Sequence, residues 1–561
     1  MNPQSTAPDA APNRPSRPQW LKSLAGLTPA APLALAPPRR LGRHGHQPGH
    51  RPRGAGARRG WRRQHAAGDP QRARLRRRAS GPRRGKNHSR SSAGTGNNPA
   101  TMNLQPLPAD SPAPDVNRRD FLRGGSFAAL MSMMGAVELR AQDAKKPGGI
   151  DAKAPNFTIN VALIGLGTWG RELLAALNRR KEARVVAICD NYPAMLRRSA
   201  PNAPDAKQVE DYRQILADKT VQAVIIATPT HLHKQIALDA LAAGKHVYCE
   251  VPLAHTVEDA RAIAGAAKAA GKVHFQSGLQ TRSDPQRLFL LQFVRSGACG
   301  KFASAHAQWH KKTSWRFTSG NDERVKAINW RLDKKLSLGL VGEMGIHQID
   351  ATAWFLRGRP AAITGFGSIV HWADGRDVAD TAQAVFEFPN GVHFTYDATL
   401  ANSFDNDYDM IYGTDAAVMI RGQKAWMFKE TDAPLLGWEV YARKDIFYKE
   451  TGIALVMDAT KLAAVGESAA AETSFTELPI NFALENFLAN ANEVGGAVED
   501  FVATFNPNDK AALAKYLADL KLLPGAGWKE GYEATILAIK ANEAVVARKR
   551  LDIAKELFDV A

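Results

Sequence analysis

Gly165-Leu166-Gly167-Thr168-Trp169-Gly170 directly follows an apolar run of strand length, Thr158 to Ile164, and opens an amphipathic stretch with Leu173, Leu174 and Leu177. Glycines at this spacing between a strand and a helix have a defined chemistry. Gly165 permits the tight turn, Gly167 lets backbone approach a pyrophosphate, and Gly170 lets helix and strand pack closely. The helix N-terminus, with Thr168 and Trp169 in its first turn, then faces the anion. Asp190 stands twenty residues past Gly170, at the end of the next strand-like run. A carboxylate there accepts from both ribose hydroxyls and repels a 2'-phosphate, so the expected cofactor is NAD, tightly held, rather than NADP. Arg197 and Arg198 lie near enough in sequence to soften that preference.

These residues need a parallel sheet behind them, and the chain supplies its pattern. Apolar runs at Arg184 to Cys189, Ala223 to Ala227, His246 to Cys249 and Val273 to Gln276 alternate with amphipathic stretches, as in a doubly wound α/β sheet. Beyond about Arg282 strands follow one another directly, among them Phe302 to Gln308, Thr381 to Phe388 and Val392 to Thr399. The expected fold is an N-terminal Rossmann doubly wound parallel sheet followed by a C-terminal α/β domain with an open, largely antiparallel sheet. The expected bounds are 156–281 and 282–561, with helix from Pro479 and a last helix running from Glu530 to Phe558.

The formal charge of the 561-residue chain is +19, and residues 1–101 carry all of it, with 21 Lys and Arg against Asp9 and Asp69. The folded part is therefore neutral, which argues against a nucleic-acid partner. The Arg- and Pro-rich stretch has too few apolar residues to offset the entropy of ordering and reads as disordered. An ordinary signal region follows Met102 at once, favouring a start there with upstream sequence translated before it; a solvated arm, or an arm for nucleic acid or membrane, are the alternatives. Within 102–142, Asn117-Arg118-Arg119-Asp120-Phe121-Leu122-Arg123 precedes an apolar run from Gly124 to Val137. That run is too short for a stable membrane span, which needs about 20 residues. The segment resembles a twin-arginine signal, implying passage through the twin-arginine translocase, cleavage near Ala141 and a periplasmic or otherwise exported protein. Cys189, Cys249 and Cys299 imply neither a disulfide framework nor a metal site.

Further on come Thr228-Pro229-Thr230-His231-Leu232-His233, then Ala243-Gly244-Lys245-His246-Val247-Tyr248-Cys249-Glu250-Val251-Pro252, and much later Gly342-Glu343-Met344-Gly345-Ile346-His347-Gln348-Ile349-Asp350. With the glycine fingerprint, this order resembles the glucose-fructose oxidoreductase, inositol dehydrogenase and rhizopine-catabolism (Gfo/Idh/MocA) family over roughly 157–430, and Ala541-Asn542-Glu543 also fits. The resemblance implies hydride transfer between nicotinamide and a hydroxyl-bearing carbon of a sugar or polyol, and a homo-oligomer assembled through the open sheet. It implies cofactor contacts at Thr228, Pro229, His233, Glu250 and Pro252, a cis peptide before Pro252, and His347 near the reacting hydroxyl. A base is needed there because hydride leaves carbon only as the hydroxyl loses its proton.

Two positions depart from the family. Glu343 stands where an Asp usually precedes the His by four residues, on the same helical face. Val251 stands where Glu-Lys-Pro has its catalytic Lys, and losing a positioned proton donor costs typically ~10² to 10⁴ in rate, unless His347, His233 or Lys272 does the work. Loss of this Lys also resembles NAD-dependent glycosidases that oxidise a sugar transiently and eliminate the aglycone, so that reading stays open beside a nucleotide- and sugar-binding protein without turnover. For the substrate, the indoles and donors of a loop from His306 to Arg316, with Trp315 and Arg316, join Trp330 and Arg331 as candidates.

Overall fold

A computed structural model describes residues 157–436, 439, 444–447, 450–455 and 477–560. The Arg-rich stretch and the paired arginines with their apolar run lie outside these residues.

The first sheet is built in chain order from β1 (Ile159–Ile164), α1 (Thr168–Leu177), β2 (Ala183–Cys189), α2 (Pro193–Ser199), β3 (Lys207–Val209), α3 (Arg213–Ala217), β4 (Ala223–Ile226), α4 (His233–Ala242), β5 (His246–Cys249), α5 (Val257–Ala269) and β6 (Phe275–Ser277). Its strands are all parallel in the order β3-β2-β1-β4-β5-β6. Both faces are covered, so β4 and β5 are buried at every residue and read as unbroken apolar runs. The order reverses between β1 and β4, the place where such sheets open a crevice outside the carboxyl ends of their strands. The three-residue β3 has too little apolar sequence to announce itself, and β6 begins at Phe275, two residues later than its sequence suggests.

The second sheet is led in by α6 (Pro285–Arg295), β7 (Phe302–His310), α7 (Asp322–Ile328), α8 (Gly339–Glu343) and α9 (Ile346–Leu356). Strands β8 (Ala362–Ser368), β9 (Thr381–Glu387), β10 (His393–Thr399), β11 (Asp407–Gly413), β12 (Ala416–Arg421), β13 (Lys424–Lys429), β14 (Lys444–Phe447) and β15 (Glu450–Ala454) then follow in succession. All pairs are antiparallel except β7 with β10. On β9 and β10 alternate residues are buried, Phe386 and Phe394 stacking on the covered face.

Three helices close the chain: α10 (Pro479–Thr504), α11 (Lys510–Ala518) and α12 (Trp528–Ala547). Helix α10 sets Ile480, Leu484 and Phe487 against the β1 and α1 side of the first sheet. Helix α12 serves both cores, with Tyr532, Ile536 and Ile539 in the first and Leu537, Ala541 and Val545 in the second. It ends eleven residues short of the expected Phe558, because Arg548 takes a left-handed conformation (φ 53°) and β16 (Arg550–Asp552) joins the sheet beside β8.

Candidate active site

The glycine turn is dictated by contact as much as by torsion. Gly165 has φ +98°, and a Cβ there would lie 2.6 Å from the Ala227 carbonyl oxygen, since β1 and β4 meet edge to edge. A Cβ at Gly170 would collide with the Gly165 carbonyl, whereas nothing lies within 4 Å of one at Gly167. No side chain caps α1 at Gly167, so its first amides are left for an anion. Asp190 is oriented over this turn: Oδ2 accepts from the Leu166 amide and Oδ1 from the Tyr192 amide, both at 2.9 Å. A carboxylate has further lone pairs, which remain for ribose hydroxyls. Thr168 and Trp169 are exposed beside the turn.

From β5 comes Glu250, buried, with Oε1 unpartnered. Burial pushes its carboxyl up to about 7, against the opposing pull of the Trp169 indole and the Val251 amide. Trp169 thus spans from the start of α1 to the end of β5. The Thr228 hydroxyl, after β4, is likewise buried and unpartnered beside Pro229. Orphaned polar atoms at the end of an uncapped glycine turn fit a bound dinucleotide.

His233 does not face a ligand. Its ring lies between two carbonyls, Nε2 2.9 Å from Thr228 O and Nδ1 3.0 Å from Pro252 O, and it is 1% exposed. Burial pushes its pKa to about 4, so the neutral ring donates to one carbonyl and ties the β4 turn to the Val251-Pro252 peptide, which is cis. This corrects the expectation of a direct cofactor contact, and a ring so enclosed is unsuited to relaying protons. Lys272 is also out of reach, being exposed before the amino end of β6, opposite the crevice. Val251 packs on the first core, presenting no ionisable group.

The second domain reaches the crevice through α8 and α9. Expected to share one helical face, Glu343 and His347 are separated by a break at Met344 and Gly345. A Cβ on Gly345 would collide with the Val341 carbonyl and lie 2.8 Å from the Tyr396 ring, which is why position 345 is glycine. Glu343 is buried and bound at both oxygens, Oε1 by the Leu338 amide and Oε2 by the Thr230 hydroxyl, each at 3.0 Å. Burial raises its pKa while nearby Arg331 opposes the rise. Ile346 packs in the same buried cluster as Cys249 and Leu253, which flank Glu250 to Pro252.

Adjacent His347 has a buried, unpartnered Nδ1. Burial lowers its pKa below the ordinary imidazole value, with Asp350 opposing. Asp350 is itself held by Arg282, whose Nε and Nη2 donate to its two oxygens at 2.9 and 2.8 Å. The imidazole is therefore neutral at neutral pH, the form able to accept a proton.

Of the candidate substrate residues, Arg331 lies 4.5 Å over the Trp330 ring and 5.9 Å from that of Trp315. Arg316 is otherwise engaged: its Nε donates to Asp374 Oδ2 at 3.1 Å and its Nη2 to the Asp374 carbonyl, making it a brace of the loop. Arg376 completes the brace, and with Arg316 it holds the Asp374 carboxyl far below the usual range. The expected loop is strand β7 as far as His310, leaving only residues 311–316 irregular, with Trp315 at φ 59°. Two residues went unremarked in the sequence, His231 and His255, whose rings lie 6.2 Å apart. Both have buried, unpartnered Nδ1 atoms, and His231 meets Trp330 at 5.8 Å. The stretch Thr230-His231 was a usable signal, but His255 had none.

Residues 159–278 match the oxidoreductase family with NAD-binding Rossmann fold, and 289–426 match the GFO/IDH/MocA C-terminal domain. The chain is 27% identical to 2,7-anhydro-N-acetylneuraminate hydratase of Escherichia coli over 47% of its own length and 68% of that protein's. It is 26% identical to levoglucosan dehydrogenase of Pseudarthrobacter phenanthrenivorans over 47% of its length and 74% of that protein's. With inositol 2-dehydrogenase of Salmonella typhimurium it shares 31% identity over 36% of its length and 55% of that protein's. The solved structure of levoglucosan dehydrogenase with NADH and L-sorbose shares the fold at a TM-score of 0.51 and 20% identity, covering 71% of this chain and 99% of that one. Both domains of the chain thus match models of the Gfo/Idh/MocA oxidoreductase family.

Proposed function

We propose that this protein is an NAD-dependent oxidoreductase moving a hydride between nicotinamide and a hydroxyl-bearing carbon of a sugar or polyol, with His347 as the base. The observation that carries the reading is the Thr230–Glu343 bond, which ties the helix break beside His347, its imidazole neutral and unpartnered at Nδ1, to the turn after β4 next to the uncapped glycine turn. Gly165, Gly167, Gly170 and Asp190 would hold the dinucleotide, with Thr168 and Trp169 beside the pyrophosphate. Bound there, it supplies the hydride acceptor. His347 takes the hydroxyl proton; Asp350, fixed by Arg282, lies beside the imidazolium and steadies it. Glu343 is a positioning residue, anchoring the helix break to Thr230. Two relatives are named as dehydrogenases of a sugar derivative and an inositol, which supports the substrate class. Nicotinamide absorbance, followed with the purified protein over a panel of sugars and polyols, tests the reading: reduction of NAD supports it, and its absence with every member contradicts it.

Val251 favours a second reading, transient oxidation followed by elimination, because that chemistry returns the hydride and needs less from an ammonium at position 251. A relative named as an anhydro-sugar hydratase is consistent with it. Release of nitrophenol from nitrophenyl glycosides without net NAD reduction would distinguish it. We further propose export by the twin-arginine translocase to the periplasm, on the strength of Arg118 and Arg119, and assembly into a homo-oligomer. Unchanged export in a strain lacking that translocase would contradict the first.

A further inference from the structure

The mechanism leaves one cation of the crevice unused. Among the described residues no hydrogen bond or ion pair engages the Arg331 guanidinium; its contacts are the Trp330 ring at 4.5 Å and the Trp315 ring at 5.9 Å. Burial disfavours its charge, yet a guanidinium does not give up its proton in proteins. Glu343 is the carboxylate whose field reaches it, but both Glu343 oxygens are committed to Leu338 and Thr230. His231, next to Trp330, and His255, next to His231, bring no negative charge. The other arginines nearby are spent: Arg282 on Asp350, Arg316 and Arg376 on Asp374.

Arg331 also keeps open donors. The Nδ1 atoms of His231 and His255 are sealed from solvent, while the Arg331 N–H groups are not among the buried, unpartnered atoms. A planar fork of donors, lying against indoles with no carboxylate bonded to it among the described residues, matches a carboxylate in two-point contact. Hydroxyl groups could meet these donors one at a time, whereas a carboxylate meets two at once and adds charge assistance.

We propose that Arg331 receives the carboxylate of an acidic sugar, so that the substrate class is a uronic or related sugar acid rather than a neutral polyol. The inference rests on the sugar oxidoreductase reading above and narrows its substrate. The half-buried Trp315 indole provides apolar surface for the ring, and His347 meets the hydroxyl to be oxidised.

Calorimetric titration of the full-length, NAD-saturated protein with glucuronate against glucose, and galacturonate against galactose, tests it. Each acid is expected to bind at least about tenfold tighter than its neutral twin, the size of one charge-assisted hydrogen bond. Arg331→Met should weaken the acids by about that factor and the neutral sugars far less, and Arg331→Lys should restore part of the difference. Unchanged NAD affinity in both variants shows that the fold persists. Neutral twins that bind as well as the acids, a methionine variant that weakens both alike, or no binding of either acid would overturn the proposal. An acid preference that depends on Arg331, without NAD reduction by any sugar, would instead contradict the hydride-transfer reading and leave the acid site standing.

Discussion

The Thr230 hydroxyl donates to Glu343 Oε2 at 3.0 Å, joining the turn after β4 to the break between α8 and α9 across 113 residues of sequence. Through this bond and the Leu338 amide on Oε1, one carboxylate fixes where the second domain presents His347 to the first.

Removing that carboxylate should therefore cost both stability and geometry. Glu343→Ala leaves a buried hydroxyl and a buried amide unpaired, at about 1 to 3 kcal/mol each, and the midpoint of urea unfolding should fall accordingly. Glu343→Gln, which keeps an acceptor for Leu338 and a partner for Thr230, should lose much less. Equal losses for the two would show that the bonds matter little.

Asp190 should set the choice of dinucleotide. With both oxygens already oriented by backbone amides, it meets ribose hydroxyls without rearrangement and repels an added phosphate. Asp190→Ser should narrow the preference for NAD over NADP by about 1.5 to 3 kcal/mol, measured by calorimetry. Tighter binding of NADP by the unaltered protein would contradict the assignment.

The acid side of the stability profile should bear the mark of His233, His246 and His274. Burial holds all three near a pKa of about 4, from an ordinary 6.5. Between these values the unfolded chain binds more protons than the folded one, so stability rises with pH. Their contribution is complete above pH 6.5 and is lost as pH falls toward 4. Replacing His246 with Asn should flatten this slope; a profile unchanged by the replacement would contradict the burial argument.

Much of this was legible in sequence where the chain's own contacts impose a residue type. Gly165 and Gly170 are forced by backbone closeness, and the buried β4 and β5 show as apolar runs because both their faces are covered. For position 347 only motif resemblance points to a role. What stayed hidden depends on tertiary partners: His233 turned inward to two carbonyls, Arg316 was claimed by Asp374, and the helix through Glu343 breaks at Met344 and Gly345 before His347. The stop at Ala547 was also invisible, since Arg548 adopts its left-handed turn only where β16 can pair with β8.

Position 251 separates adaptation from decay. If the site works without an ammonium there, Val251→Lys should not raise NAD reduction, since a new cation would crowd the crevice near the nicotinamide. A gain of about tenfold or more, within the reach of a general acid or base, would show that an ordinary dehydrogenase has lost its lysine.

If His347 handles the proton and the dinucleotide is held elsewhere, the two functions should separate in one variant. NAD reduction with the best sugar of the panel, measured for the unaltered protein and for His347→Ala alongside NAD affinity, tests it directly. Turnover should fall by about 10² or more with NAD affinity nearly unchanged, and the unaltered protein should show an acid limb below pH 6.5, activity falling as His347 takes a proton. Turnover that survives in His347→Ala would contradict it.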